Sequence, residues 1–207
     1  VKSFIQYLNE QRHGSLHVVD VDDTLFHTTA RVRVRNAAGK IIRYLTNQEF
    51  NDYKLKPGER YDYKEFKSAR KFSRESKPIH KVIDKINKIQ SNLKKKKNSR
   101  VIINTARADF DNKREFLNTF RKQGMDIDKI HVHRAGNIPG DELPALKKVK
   151  IIKQYLDKNS HKKVIMYDDS RTNLKALLNM KKEYPDVTFI AMHVGPDGTL
   201  TRIKDGD

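Results

Sequence analysis

The sequence predicts an α/β protein: a three-layer, Rossmann-like parallel sheet with helices on both faces, and a small cap or flap inserted after the first strand. Two observations carry this. Short apolar runs alternate along the chain with stretches whose apolar residues recur at helical spacing, the order that sandwiches a parallel sheet between helices. Three of the apolar runs also end in residues that carry chemistry: Leu16-His17-Val18-Val19 in Asp20, Val101-Ile102-Ile103 in Asn104-Thr105, and Val164-Ile165-Met166-Tyr167 in Asp168-Asp169. The carboxyl ends of strands in an open parallel sheet line one crevice, and ligands bind there. A chain of 207 residues is expected to form one domain over 1–207, with residues 27–78 as an insertion within it.

Taken in order, residues 2–11 predict a short amphipathic helix and 16–20 the first strand. Residues 27–78 then break the alternation. Arg31-Val32-Arg33-Val34-Arg35, Asn36-Ala37-Ala38-Gly39 and Lys40-Ile41-Ile42-Arg43-Tyr44-Leu45 predict a hairpin with basic residues on one face. Beyond it Tyr53, Tyr61, Tyr63, Phe66 and Phe72 are interleaved with Lys and Arg. Placed after the first strand, this segment would overhang the crevice, and its small size would leave the site fairly open. Apolar spacing over 79–93 predicts a helix. It is followed by strand 100–104, helix 111–123 ending at Gly124, strand 130–132, helix 144–157, strand 163–167, helix 171–181, strand 187–194 and a hairpin-like tail at Gly195-Pro196-Asp197-Gly198.

Asp20 and Asp22 leave one strand end together, with Thr24 just behind. Carboxylates this close repel, and a fold tolerates them best when a cation or a proton intervenes. Mg²⁺ takes such oxygens, usually one or two alongside phosphate and water. A turn with an Asx cap gives the same short string, but it does not explain a second acidic pair after a second apolar strand.

These motifs resemble those of the haloacid dehalogenase (HAD) superfamily of phosphohydrolases. Asp-x-Asp-x-Thr falls on Asp20, Asp22 and Thr24, the strand ending in a hydroxyl residue on Thr105, and the late acidic pair on Asp168 and Asp169. The remaining motif is a Lys near a helix start, for which Lys147 and Lys148 are candidates. Helix 144–157 is expected to bury Leu146, Val149, Ile152 and Leu156, which puts Lys147 one position past the stripe, within reach of the crevice. Solvent is the ordinary place for either lysine. The resemblance covers about residues 15–195, and 27–78 match no motif of it.

The resemblance implies that Asp20 attacks phosphorus to form an aspartyl-phosphate, and that Asp22 protonates the leaving oxygen and then activates water. Thr105 would hydrogen-bond a phosphoryl oxygen and Lys147 would offset its charge. Thr24, Arg107 and Lys148 are expected to contact substrate. Mg²⁺ would be held by Asp20, the backbone carbonyl of Asp22 and Asp168, with Asp169 supporting directly or through water. Arg107 either grips phosphate bidentately or pairs with Asp109 or Asp111. Asn173 either orients Asp168 or Asp169, or Ser170 and Thr172 simply cap the next helix. His131-x-His133 reads as alternating polar positions on a strand more readily than as a metal pair. His27 either approaches substrate or caps.

The formal net charge of +18 attracts polyanions at long range, and aromatics among basic residues have the composition of a single-strand groove. Residues Lys94–Lys97 read equally as a solvated loop. The leading expectation is a phosphatase acting on a nucleotide or polynucleotide end, similar to the phosphatase half of phage polynucleotide kinases; without a P-loop, a kinase half is not expected. The alternatives are a phosphatase of a small metabolite such as a sugar phosphate, and a nucleic-acid binding module whose site is vestigial. The absence of Cys excludes thiolate catalysis and Cys-based zinc sites and fits a reducing cytosol. With no apolar stretch near membrane-span length and no signal-peptide core at the start, a cytoplasmic protein is expected.

Overall fold

The computed structural model describes residues 14–93, 98–158 and 161–204. The helix expected at 2–11 and the lysine run 94–97 lie outside the described residues. The chain begins with β1 (Gly14–Val19) and passes into β2 (Phe26–His27), β3 (Val32–Arg35), β4 (Ile41–Leu45), α1 (Asn47–Asp52), β5 (Arg60–Asp62), α2 (Ala69–Glu75) and β6 (Lys77–Pro78). There follow α3 (His80–Leu93), β7 (Arg100–Thr105), α4 (Lys113–Arg121), β8 (His131–Arg134), α5 (Pro144–Leu156), β9 (His161–Asp168), α6 (Arg171–Asn179), β10 (Thr188–Val194) and β11 (Leu200–Ile203).

The central sheet has six strands in the order β11-β10-β9-β1-β7-β8. All its pairs are parallel except β10 with β11, which the turn at Gly195–Gly198 closes as an antiparallel edge. Strand β1 is central and buried on both faces, which is why it reads as a nearly continuous apolar run. Its alternate residues feed two cores. Leu16 and Val18 join Ile102, Val164 and Met166 beneath α5 and α6, whereas Val19 joins Ile103, Ile165 and Tyr167 beneath α2, α3 and α4. From β1 the chain steps outward to β7 and β8, then returns to β9 on the other side of β1. The switch point therefore lies between β1 and β9, where Val19 stands opposite Tyr167 and the Asp20 N–H donates to the Tyr167 carbonyl at 3.0 Å.

The insertion is clasped at its base by β2 pairing antiparallel with β6, and it folds its own three-stranded sheet, β4-β3-β5. The hairpin forms as expected around Asn36 and Gly39, the latter at φ 80. Its basic face is partly neutralised: Arg33 pairs with Glu65 at 2.9 Å and Arg35 with Asp62 at 2.7 Å. The aromatics depart from the expected stacking groove. Phe50, Tyr53, Tyr61 and Phe66 pack on Val32, Val34 and Leu45 as a small core, and Phe72 is buried in the main core against Phe26 and Phe116. A small sheet needs a buried face of its own to be stable, and here Phe50 of α1, Tyr53, Tyr61 of β5 and Phe66 supply the cover.

Helix α5 also departs from expectation. Leu146 is 49% exposed, while Lys148 is 1% exposed and points inward with Val149, Ile152 and Leu156. An apolar stripe traced from sequence skips a lysine; here two carboxylates at the strand ends compensate its burial.

Gly136, just beyond β8, lies against the loop that follows β7. A Cβ there would sit 2.4 Å from the Ala106 carbonyl oxygen and 2.8 Å from the Ala108 nitrogen. Gly136→Ala is therefore expected to destabilise the protein by about 1–3 kcal/mol, read as a lower denaturant midpoint at unchanged m. A wild-type midpoint would refute the close approach.

Candidate active site

Asp20 and Asp168 leave the ends of adjacent strands, and Lys148 from α5 rises between them. Its Nζ lies 2.7 Å from Asp20 Oδ1 and 2.8 Å from Asp168 Oδ2. All three side chains are buried. Although burial opposes charge on Lys148, the Asp168 and Asp20 carboxylates hold its pKa above the usual lysine range. Asn104 fixes the helix at this point by donating from Nδ2 to the Lys148 carbonyl at 3.0 Å. Reasoning from sequence missed Asn104; its signal was a lone amide inside an apolar strand.

Asp168 is the anchor of the group. Its Oδ1 accepts from the Ser170 N–H at 2.9 Å and from Asn173 Nδ2 at 2.9 Å, and its Oδ2 accepts from Lys148 and from Asn173 at 3.1 Å. Both readings of this turn therefore hold: Asn173 orients Asp168, and Ser170 caps α6. Asp169 points the other way, toward a cavity of about 210 Å³ that Asp20, Asp22, Lys147 and Lys148 also line. One ligand oxygen from each of Asp20, Asp168 and Asp169 lies within 4.8 Å of the others, a cluster that could hold a metal ion. Its donors are hard carboxylate oxygens, the set that oxygen-seeking divalent cations take. The cluster carries more carboxylate than Lys148 can neutralise. Burial, with Asp168 and Asp22 adding repulsion against the pull of Lys148, lifts the Asp20 carboxyl to about 7. Burial and then Asp168 and Asp20 lift Asp169 to about 9.

The side chain of Asp22 stands outside this cluster. Arg107 forks it, Nε to Oδ2 at 2.8 Å and Nη2 to Oδ1 at 2.6 Å, so Arg107 pairs with neither Asp109 nor Asp111. Those two are engaged elsewhere: Asp109 pairs with Arg134, and Asp111 accepts from the Ala69 N–H at 2.8 Å. The guanidinium is buried, lies over the Phe72 ring at 4.7 Å, and donates to the Phe66 carbonyl at 3.0 Å and to Thr28 Oγ1 at 3.2 Å. Arg107 thus ties Asp22 to the insertion. Its own turn is fixed by Thr105, a buried residue whose hydroxyl accepts from the Arg107 N–H at 3.2 Å.

Between Asp20 and β2 the chain turns tightly, with the Leu25 and Phe26 N–H groups both donating to the Val21 carbonyl. Asp23 takes φ 55, a left-handed conformation that Asp tolerates better than most residues. It accepts from Asn47 Nδ2 of the insertion at 2.7 Å, and His27 lies 3.6 Å from its carboxylate. Thr24 is fully buried, and its hydroxyl stitches the two acidic loops together: it accepts from the Asp169 N–H at 3.1 Å and donates to Asp169 Oδ1 at 3.3 Å. The hydroxyl of Thr24, expected to contact substrate, is thus bonded to Asp169. Lys147 lines the cavity wall, whereas Lys148 is the lysine between the carboxylates. The site is also more covered than expected, because Val32, Asn47, Phe50, Tyr63, Phe66 and Lys67 of the insertion form part of the cavity wall. His131 and His133 both reach the Tyr155 hydroxyl, at 3.2 and 2.6 Å, from the β8 edge of the sheet.

Compared with protein-family models, curated proteins and solved structures, the chain finds no match.

Two outcomes follow from this geometry. Lys148→Met removes one partner from a buried ionic group and is expected to cost about 3–5 kcal/mol, measured by urea unfolding; a loss below about 1 kcal/mol would mean the lysine is not what holds the strand ends together. Mg²⁺ at a hundredfold its Kd is expected to add about 2.7 kcal/mol, a rise in Tm of roughly 5–10 °C for a chain of this size. EDTA should reverse the rise and Asp169→Asn should abolish it; an unmoved Tm in the wild type would argue against the cation site.

Proposed function

We propose that the chain is a Mg²⁺-dependent, HAD-type phosphomonoester hydrolase acting through an aspartyl-phosphate on Asp20. The observation that carries this reading is the convergence of Asp20, Asp168 and Asp169 around Lys148, beneath a cavity at the switch point of a parallel sheet. In the proposed reaction an Asp20 oxygen attacks phosphorus in line, and the bond from phosphorus to the leaving oxygen breaks as that oxygen takes a proton from the Asp22 carboxyl. Water then attacks the phosphorus of the acyl phosphate, loses its proton to Asp22, and regenerates the Asp20 carboxylate with release of inorganic phosphate. The carboxylates of Asp20, Asp168 and Asp169 fit Mg²⁺ by donor type and by their excess of charge. When bound, the ion would offset charge on the transferring phosphoryl group. Lys148 keeps Asp20 in place, and Lys147 on the cavity wall adds positive charge near the phosphoryl oxygens.

Asp22 accepts two N–H bonds from Arg107, one on each oxygen, which presents it as the acceptor needed in the second step. Delivering a proton in the first step requires the fork to release one oxygen. Because the same guanidinium holds the Phe66 carbonyl and Thr28, the position of Asp22 depends on the insertion. In this reading Arg107 acts as a positioning residue.

A second reading, a nucleic-acid binding module, is favoured only by the net charge of +18. Turnover of p-nitrophenyl phosphate with Mg²⁺ distinguishes the two. The account expects turnover that Asp20→Asn abolishes and that Asp22→Asn lowers by about 10²–10⁴ in kcat. Arg107→Lys, which cannot fork both oxygens, is expected to lower kcat by about 10² with KM nearly unchanged. No turnover by the wild type would leave the binding module standing.

A further inference from the structure

The cavity above Asp20 has a roof that the hydrolytic chemistry does not require. The insertion contributes Val32, Phe50, Tyr63 and Phe66 to it. Tyr63 is 44% exposed, a large apolar surface left open beside acidic residues. Its ring meets Phe50 edge to face at 5.9 Å, and Phe50 is backed by Tyr61 at 4.8 Å, so neighbouring rings brace this wall. Lys67 of the insertion and Lys147 of α5 stand at the same cavity, and among the described residues no carboxylate pairs with either Nζ. A polyhydroxyl ring gains less from such a roof, because its hydroxyls would exchange bonds to water for apolar contact. A flat π-system gains from stacking on it. Two unpaired ammonium groups favour an anion beside that ring.

We propose that the cavity selects a phosphomonoester carrying one flat heteroaromatic ring, a nucleoside monophosphate unit. Its base lies against Phe50 and Tyr63, and its phosphate is directed toward Asp20 by Lys67 and Lys147. For turnover this rests on the phosphatase reading; for binding it does not. At about 210 Å³ the cavity is below the roughly 300–1,000 Å³ of typical small-molecule sites, too small to enclose a run of bases. A free mononucleotide and the phosphorylated end of a single strand present this chemistry equally.

The test is calorimetric binding to the Asp20→Asn protein in Mg²⁺, with adenosine 5′-monophosphate, ribose 5-phosphate and a 5′-phosphorylated oligothymidylate as ligands. The mononucleotide is expected to bind at least about tenfold tighter than ribose 5-phosphate, which lacks only the base. Tyr63→Ala, checked for native circular dichroism, should remove most of that ratio. Oligothymidylate binding within a few-fold of the mononucleotide would support the proposal with a strand end as the source; binding of the mononucleotide alone would support it with the free nucleotide. Equal affinity for the mononucleotide and ribose 5-phosphate, or a ratio unmoved in folded Tyr63→Ala, would overturn it while leaving the phosphatase reading intact. A ring preference in a wild type that hydrolyses no phosphomonoester would keep this proposal and remove the phosphatase; absence of binding by all three ligands would overturn it.

Discussion

One ammonium group, Lys148 Nζ, bridges the carboxylates at the ends of two adjacent parallel strands, 2.7 Å from Asp20 and 2.8 Å from Asp168. Bringing those strands together with their acidic ends side by side is unfavourable without it, because both carboxylates are buried and repel. Much else is arranged to keep that lysine in place. Asn104 of β7 holds the backbone of Lys148, Asn173 and the Ser170 N–H also donate to Asp168, and Thr24 locks Asp169 to the loop after β1. The lysine balances only part of the negative charge, and Asp20, Asp168 and Asp169 form a cluster that could hold a metal ion.

Around this centre the acidic residues divide by environment. Asp168 accepts from Lys148, Asn173 and the Ser170 N–H and serves as an anchor, Asp20 and Asp169 face the cavity, and Asp22 is carried separately by Arg107. The insertion contributes twice, roofing the cavity with aromatic side chains and gripping Arg107 through the Phe66 carbonyl. In the proposed reaction, nucleophile and proton-transfer group would thus be held by different partners, and only the latter would depend on the cap.

Strand ends and their polar residues were legible because an apolar run terminated by such residues is a local pattern; two runs end in Asp and a third in Asn104-Thr105, and together they imply one crevice. The helical layers followed from spacing alone. Which of the two candidate lysines points inward was not legible, because the stripe through Leu146 and Val149 assumes that every core residue is apolar. Lys148 occupies the inward position only because Asp20 and Asp168, distant in sequence, meet it there. Arg107 was misjudged for the same reason: Asp109 and Asp111 are its neighbours in sequence, while Asp22 is its neighbour in space. The aromatics of the insertion looked like a binding surface because composition does not reveal that Phe50, Tyr53, Tyr61 and Phe66 cover the small sheet and that Phe72 enters the main core. Only Phe50, Tyr63 and Phe66 keep a share of the cavity wall.

A crystal structure grown with Mg²⁺ and beryllium fluoride, a mimic of a phosphoryl group on a carboxylate, tests the centre of this account. The account predicts beryllium bonded to an Asp20 oxygen, Mg²⁺ among Asp20, Asp168 and Asp169, and Lys148 still seated between the strand ends. A fluoride adduct on another residue, or Mg²⁺ bound away from this trio with Asp20 unmodified, would contradict it.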